Sequence, residues 1–174
     1  MINIVLFQPE IGPNTGNIIR SCFVANLKLH IIKPTAFDLE PKHLKRPAAG
    51  ILLSDINHEI HNSWDEFSNK YGRNNLFFIT RYGQKLYTDV DFGNEISVQK
   101  EIFLVFGRES TGIPINILRK NKEKCLRIPM VANARSLNLA NTVVIVAYEI
   151  HRQRNFHKLS HFEVQKGKNY LDKN

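Results

Sequence analysis

Short apolar runs alternate with amphipathic stretches along most of the chain, and no other feature restricts the fold as much. Ile2 to Phe7, apolar but for Asn3, reads as a buried strand. Pro9, Gly12 and Pro13 break it, and the spacing of Ile18, Ile19, Cys22 and Phe23 predicts a helix from near Thr15, with Asn14 or Thr15 as its cap. Further strands are predicted over Leu29 to Ile32, Leu76 to Thr80, Ile102 to Phe106 and Leu126 to Met130. Helices are predicted over Ser63 to Lys70 and over about Leu137 to Arg154. Apolar strands alternating with helices imply an α/β fold, a parallel sheet flanked by helices. The last helix is apolar over a wide arc, so it is either deeply buried or packed against a second subunit. Its end, His151-Arg152-Gln153-Arg154, puts positive charge where the helix dipole is negative.

A length of 174 residues suits one domain with a real core and leaves little room for a second. We expect a single domain over 1–155 and a polar, lysine-bearing tail over 156–174. The net charge of +8 favours polyanionic partners, nucleic acid foremost. Two distant cysteines, Cys22 and Cys125, read as buried thiols of a reducing compartment. The N-terminus lacks the basic region of a signal peptide, and no apolar run approaches membrane-spanning length. The expectation is a cytoplasmic protein without a membrane partner. The seven histidines show no paired metal spacing, so no metal is expected, and His58 and His61 read as surface residues.

Three segments place polar residues and glycines where strands end, which is where open α/β sheets bind ligands. The first runs from Pro13 through Asn14, Thr15 and Gly16 to Arg20. The second is Phe106-Gly107-Arg108-Glu109-Ser110-Thr111-Gly112. The third is Ile128-Pro129-Met130, followed by Ser136-Leu137-Asn138-Leu139-Ala140-Asn141. Taken singly, each also reads as an ordinary capped turn, with Ser136 as the cap in the third. The dinucleotide fingerprint, the P-loop and the zinc-protease helix are all missing from the sequence.

In order and together, Asn14-x-Gly16-x-x-x-Arg20, Phe106-Gly107-x-Glu109-x-x-Gly112 and Ile128-Pro129-Met130 with Ser136 to Asn141 resemble the three motifs of the SpoU (TrmH-like) branch of the SPOUT methyltransferases. The opening Asn3 to Ile11 and the short length are similar to the small, single-domain members that act on the tRNA wobble nucleotide. Pro47 to Leu53 departs from the pattern of those close relatives.

The resemblance implies a C-terminal trefoil knot, a homodimer joined through the last helix, and S-adenosylmethionine as cofactor, with S-adenosylhomocysteine as product. It implies methylation of the ribose 2′-OH at position 34, cytidine or modified uridine, of a tRNA, with a leucine tRNA expected. Carried over residue by residue, the catalytic group is Asn14, Arg20, Glu109, Ser136 and Asn138. The cofactor group is Ile79, Thr80, Gly107, Ile128, Met130, Ser136 and Leu137. Lys42, Lys45, Arg46, Arg108 and Arg135 are the RNA-contact candidates, with Arg81 near the site. A guanidinium gives up its proton reluctantly, with a pKa above about 12. Stabilising a developing alkoxide or holding a phosphate therefore suits Arg20 better than acting as a base.

Overall fold

The computed structural model describes residues 1–40, 44–93 and 100–172. Seven strands form one sheet: β1 (Ile2–Phe7), β2 (Lys28–Ile32), β3 (His58–His61), β4 (Asn75–Ile79), β5 (Lys85–Leu86), β6 (Ile102–Phe106) and β7 (Cys125–Arg127). Their spatial order is β3-β2-β1-β6-β4-β7-β5, and every pairing is parallel. The helices are α1 (Gly12–Val24), α2 (Trp64–Tyr71), α3 (Ile115–Lys120) and α4 (Leu139–Gln153). None is long and apolar enough, among the described residues, to cross a membrane.

The period-two rule explains how β1 can be buried along its whole length. Ile2, Ile4 and Leu6 face one apolar layer with Ile18 and Ile19 of α1 and Val143, Val146 and Ile150 of α4. Val5 and Phe7 face the other, with Phe67 of α2 and Ile117 and Leu118 of α3. α4 is further docked onto the end of α1 by a hydrogen bond between His151 Nε2 and the Ala25 carbonyl, 2.9 Å.

Several elements differ from the sequence reading. α1 starts at Gly12 rather than near Thr15, and its N-cap position is Ile11, which makes no side-chain cap. Pro13 supplies the reason, because proline is pre-organised for the first helical turn. Asn14 and Thr15 therefore lie inside the helix. β7 ends at Arg127, ahead of Pro129, which has no N–H for a ladder. Asn138, not Ser136, caps α4, its Oδ1 accepting from the amides of Ala140 and Asn141. β3, β5 and α3 were not anticipated.

β3 overturns the surface reading of His61, which is 2% exposed. Its Nε2 lies 3.0 Å from Nδ1 of buried His30, and His30 Nε2 lies 3.1 Å from Asn3 Oδ1. Asn3 Nδ2 donates to the Ile102 carbonyl, so its Oδ1 accepts from His30 Nε2–H, and His30 Nδ1 accepts from His61 Nε2–H. The two rings are 13° from parallel with centroids 5.3 Å apart. That is the span of an in-line N–H···N bond between nearly coplanar imidazoles, not of two lone pairs converging on an ion. The neighbouring Glu59 is held by Lys28, Lys70 and Tyr71.

Burial, with Lys28 next in weight, pushes the His30 pKa from 6.5 down to about 3. The unfolded chain therefore takes up this proton first. The stabilisation is full above pH 6.5 and is lost as pH falls towards 3. Between pH 6.5 and pH 5 the His30 linkage is expected to remove about 2 kcal/mol of unfolding free energy. Denaturant titrations at the two pH values check this, and an unchanged midpoint contradicts it.

Candidate active site

The sheet order reverses between β1 and β6, because the chain builds outward from β1 through β2 and β3 and then resumes on the far side of β6. A crevice is expected beyond the carboxyl ends of the strands at such a switch point. The loops leaving β1 and β6 meet there. Glu109, in the loop after β6, accepts hydrogen bonds from the Glu10 amide (2.9 Å) and the Ile11 amide (3.3 Å) of the loop after β1. Glu10 answers by accepting from the amide (2.8 Å) and hydroxyl (2.7 Å) of Ser110. Those Ser110 bonds hold the Glu10 carboxyl below the usual carboxylate range.

The contact extends into the third segment. Asn14 Nδ2 donates to Glu109 Oε1 at 3.0 Å, and Asn138 Nδ2 donates to Asn14 Oδ1 at 2.9 Å. Asn138 Oδ1 then accepts from the first amides of α4. One line of hydrogen bonds thus runs from the loop after β6, through α1, to the N-terminus of α4.

Two glycines permit this packing. A Cβ on Gly107 would lie 2.2 Å from the Gly112 carbonyl carbon and 2.3 Å from the Ile113 nitrogen, so only glycine lets the loop after β6 close on itself. The antiparallel bridge between Arg108 and Gly112 marks that closure. A Cβ on Gly16 would lie 2.5 Å from Pro47 Cγ, so glycine lets α1 approach the turn that carries Lys45 and Arg46.

Beside this line lies a cavity of about 420 Å³. All seven cofactor candidates line it: Ile79, Thr80, Gly107, Ile128, Met130, Ser136 and Leu137. So do Asn14, Glu109, Asn138, Arg108 and Arg135. Arg20 does not. It is exposed on α1, and its guanidinium makes no hydrogen bond or ion pair among the described residues. Lys45 and Arg46 are exposed and stand outside the cavity lining, and Lys42 lies outside the described residues. Arg108 donates to Gln8 Oε1 and sits over the Phe7 ring with its guanidinium carbon 5.3 Å from the centroid.

The sequence reading missed Glu10, Ser110, Tyr82 and Thr142. Tyr82 and Thr142 line the cavity, with Arg81 beside Tyr82 on the rim, its guanidinium carbon 5.3 Å from the Tyr82 ring. Glu10 and Ser110 were findable in part, since both flank quoted motif residues. Their reciprocal pairing across the switch point has no local signature.

Asn14 is 7% exposed and bridges one acceptor and one donor. Asn14→Asp removes the donor and sets a second carboxylate against Glu109. It is expected to cost about 2 kcal/mol at neutral pH relative to the unsubstituted protein, with the difference shrinking as pH falls towards 4. Paired denaturant titrations across that range check both the size and the trend.

The model of the SpoU rRNA Methylase family matches residues 1–148. A Geobacillus stearothermophilus protein, provisionally named a tRNA (cytidine(34)-2′-O)-methyltransferase, is 44% identical over 160 residues, covering 91% of this chain and 99% of its own. A solved structure that gives insight into 2-OH methylation of C/U34 on tRNA superposes with a TM-score of 0.79 at 32% identity, covering 90% of this chain and 98% of that one. AviRb, a SpoU methyltransferase of Streptomyces viridochromogenes in complex with AdoMet, gives a TM-score of 0.70 at 25% identity, covering 88% of this chain and 60% of that one. A switch-point cavity bordered by the three motifs, in a chain matched by the family's model over most of its length, makes this protein a member of the SpoU methylase family.

Proposed function

We propose that this protein transfers a methyl group from S-adenosylmethionine to the ribose 2′-OH of the wobble nucleotide, position 34, of tRNA. The observation that carries the reading is the hydrogen-bonded line Glu109–Asn14–Asn138 beside a cavity lined by every residue of the cofactor group. Relatives named for this reaction match the chain nearly end to end.

The cavity fits the cofactor in size and chemistry. Its volume, about 420 Å³, is within the range of small-molecule sites. Ile79, Ile128, Met130 and Leu137 offer apolar walls suited to a purine, and Thr80, Ser136 and the Gly107 backbone offer polar groups for a ribose and an amino-acid end. When bound, S-adenosylmethionine supplies a methyl group already activated by its sulfonium, which leaves positioning and proton handling to the protein.

The chain's own residues divide that work. Glu109, Asn14 and Asn138 hold the three loops in one geometry. Ser136 sits in the exposed stretch leading to Asn138 and meets the cofactor from the lining. Arg20, whose guanidinium has no partner among the described residues, is available to the incoming RNA. There it stabilises the alkoxide forming at the 2′-oxygen or holds the neighbouring phosphate. Arg108 and Arg135 on the lining, with Lys45 and Arg46 near α1, supply further contacts to phosphates, and Lys42 of the sequence is assigned to the same role.

The reading extends to architecture. Residues 1–155 act as one catalytic domain with a polar tail over 156–174, and the loops after β6 and β7 are threaded into a trefoil knot. The working unit is a homodimer, a reading supported by Phe23 (54%) and Val24 (58%), exposed on α1. The expected substrate is a leucine tRNA in the cytoplasm.

The test is transfer from labelled S-adenosylmethionine to total tRNA lacking the modification, followed by nucleoside analysis. A 2′-O-methylated cytidine or uridine from position 34 is expected. Transfer confined to ribosomal RNA would overturn the substrate. In the same assay Arg20→Lys is expected to lose about a hundredfold in turnover with cofactor binding intact, and near-normal turnover removes Arg20 from the mechanism.

A further inference from the structure

Because every strand pairing is parallel, the strands are all entered from one side of the sheet; β1, β2, β4 and β6 start there at neighbouring levels, on the edge away from the cavity, while β7 and β5 begin further along, level with Phe78 and Ile79 of β4. The chain brings positive charge to that edge at several neighbouring strands. Arg73 comes just before β4 and Lys100 just before β6. Lys122 and Lys124 lie in a 3-10 turn that packs beside β4 and leads into β7, and Arg119 and Lys120 end α3 immediately before it. β1, β6, β4 and β7 are consecutive neighbours in the sheet. The Asn75 side chain donates to the Glu101 carbonyl, which fixes the starts of β4 and β6 side by side.

These six cations are exposed, and none makes an ion pair or hydrogen bond among the described residues. Among the described residues of these segments only Glu101 and Glu123 offset them, leaving a local net charge of +4. Lys28, at the start of β2, and Lys70, in α2, behave differently: both are committed to Glu59. The Met1 amine, beside the start of β1, is not counted with these cations. Its pKa is lowered by burial first and then by Arg154, with Lys158 contributing in the same direction.

We infer that this strand-start edge is a second RNA-binding surface, which takes the phosphate backbone of a tRNA segment remote from the nucleotide in the cavity. The inference rests on the proposed tRNA substrate and goes beyond it, because the cavity and its motif residues lie at the other end of the strands. A six-residue strand separates the two edges by roughly 20 Å. Unpaired lysines and arginines carrying no fixed partner suit a backbone whose charge is uniform, and such contacts add affinity and salt dependence without sequence choice.

The experiment measures equilibrium binding of the full-length chain to whole tRNA and to an isolated anticodon stem–loop, each over a range of salt. The variant Lys122→Gln/Lys124→Gln is compared with Lys166→Gln/Lys168→Gln, which removes equal charge in the C-terminal tail. For whole tRNA, the first variant is expected to bind about fivefold more weakly at physiological salt, with the log–log salt slope shallower by about 1 to 2. Its binding to the stem–loop and its turnover at saturating RNA should be unchanged, and the second variant should leave whole-tRNA binding within about twofold. Unchanged whole-tRNA binding overturns the inference. Equal weakening by both variants, or equal weakening on both RNAs, overturns it as well, because the effect is then one of net charge. Binding is read directly, so absence of methyl transfer would count against the proposed reaction and leave this result standing.

Discussion

The Glu109 carboxylate is the contact on which the rest of the site depends. It accepts two backbone amides of the loop after β1 and the side chain of Asn14, which in turn is bound by Asn138 at the head of α4. Loops leaving three strands would otherwise be independent surface segments, each with its own low cost of opening. Hydrogen bonds to a charged acceptor are stronger than neutral ones, and a connected set rigidifies more than its pairs suggest. The cavity wall is therefore fixed at the sheet's switch point, while Ser136 and its neighbours from Val131 to Leu137 stay exposed around it.

Burial and charge are divided between the two ends of the sheet in a way that a composition cannot reveal. At the strand ends, Arg108 is pinned by Gln8 and Phe7, and the carboxylates of Glu10 and Glu109 are spent on amides. Before β4, β6 and β7, Arg73, Lys100, Lys122 and Lys124 have no partner among the described residues, whereas Lys28 at the start of β2 is paired with Glu59. A net charge of +8 is compatible with an even distribution; the parallel topology makes it uneven, because the residues that lead into neighbouring strands approach the sheet from one side.

Strands that are apolar on both faces were legible from sequence: β1 and β6 have the bounds that their apolar runs predict. β3 was not, because His58-Glu59-Ile60-His61 looks like solvated surface until His30 and Asn3 are brought beside it from other strands. The helix caps misled for a similar reason. Ser136 and Asn138 are both good caps by residue type, and the choice of Asn138 is made by Asn14, which is 124 residues away. The site residues were legible as a set through family motifs. Their physical linkage, and the reciprocal bonds of Glu10 and Ser110, depend on two loops meeting at a switch point, which no local pattern encodes.

The most direct test of this account is a double-mutant cycle on Asn14→Ala and Asn138→Ala, read as unfolding free energy. Loss of the α4 cap by Asn138→Ala appears in both arms of the cycle and cancels, leaving the side-chain contact between the two asparagines. If the three loops are held as one unit, the coupling energy is about 1 kcal/mol or more. Additivity to within about 0.3 kcal/mol would mean that the loops keep their places independently, and would contradict the account.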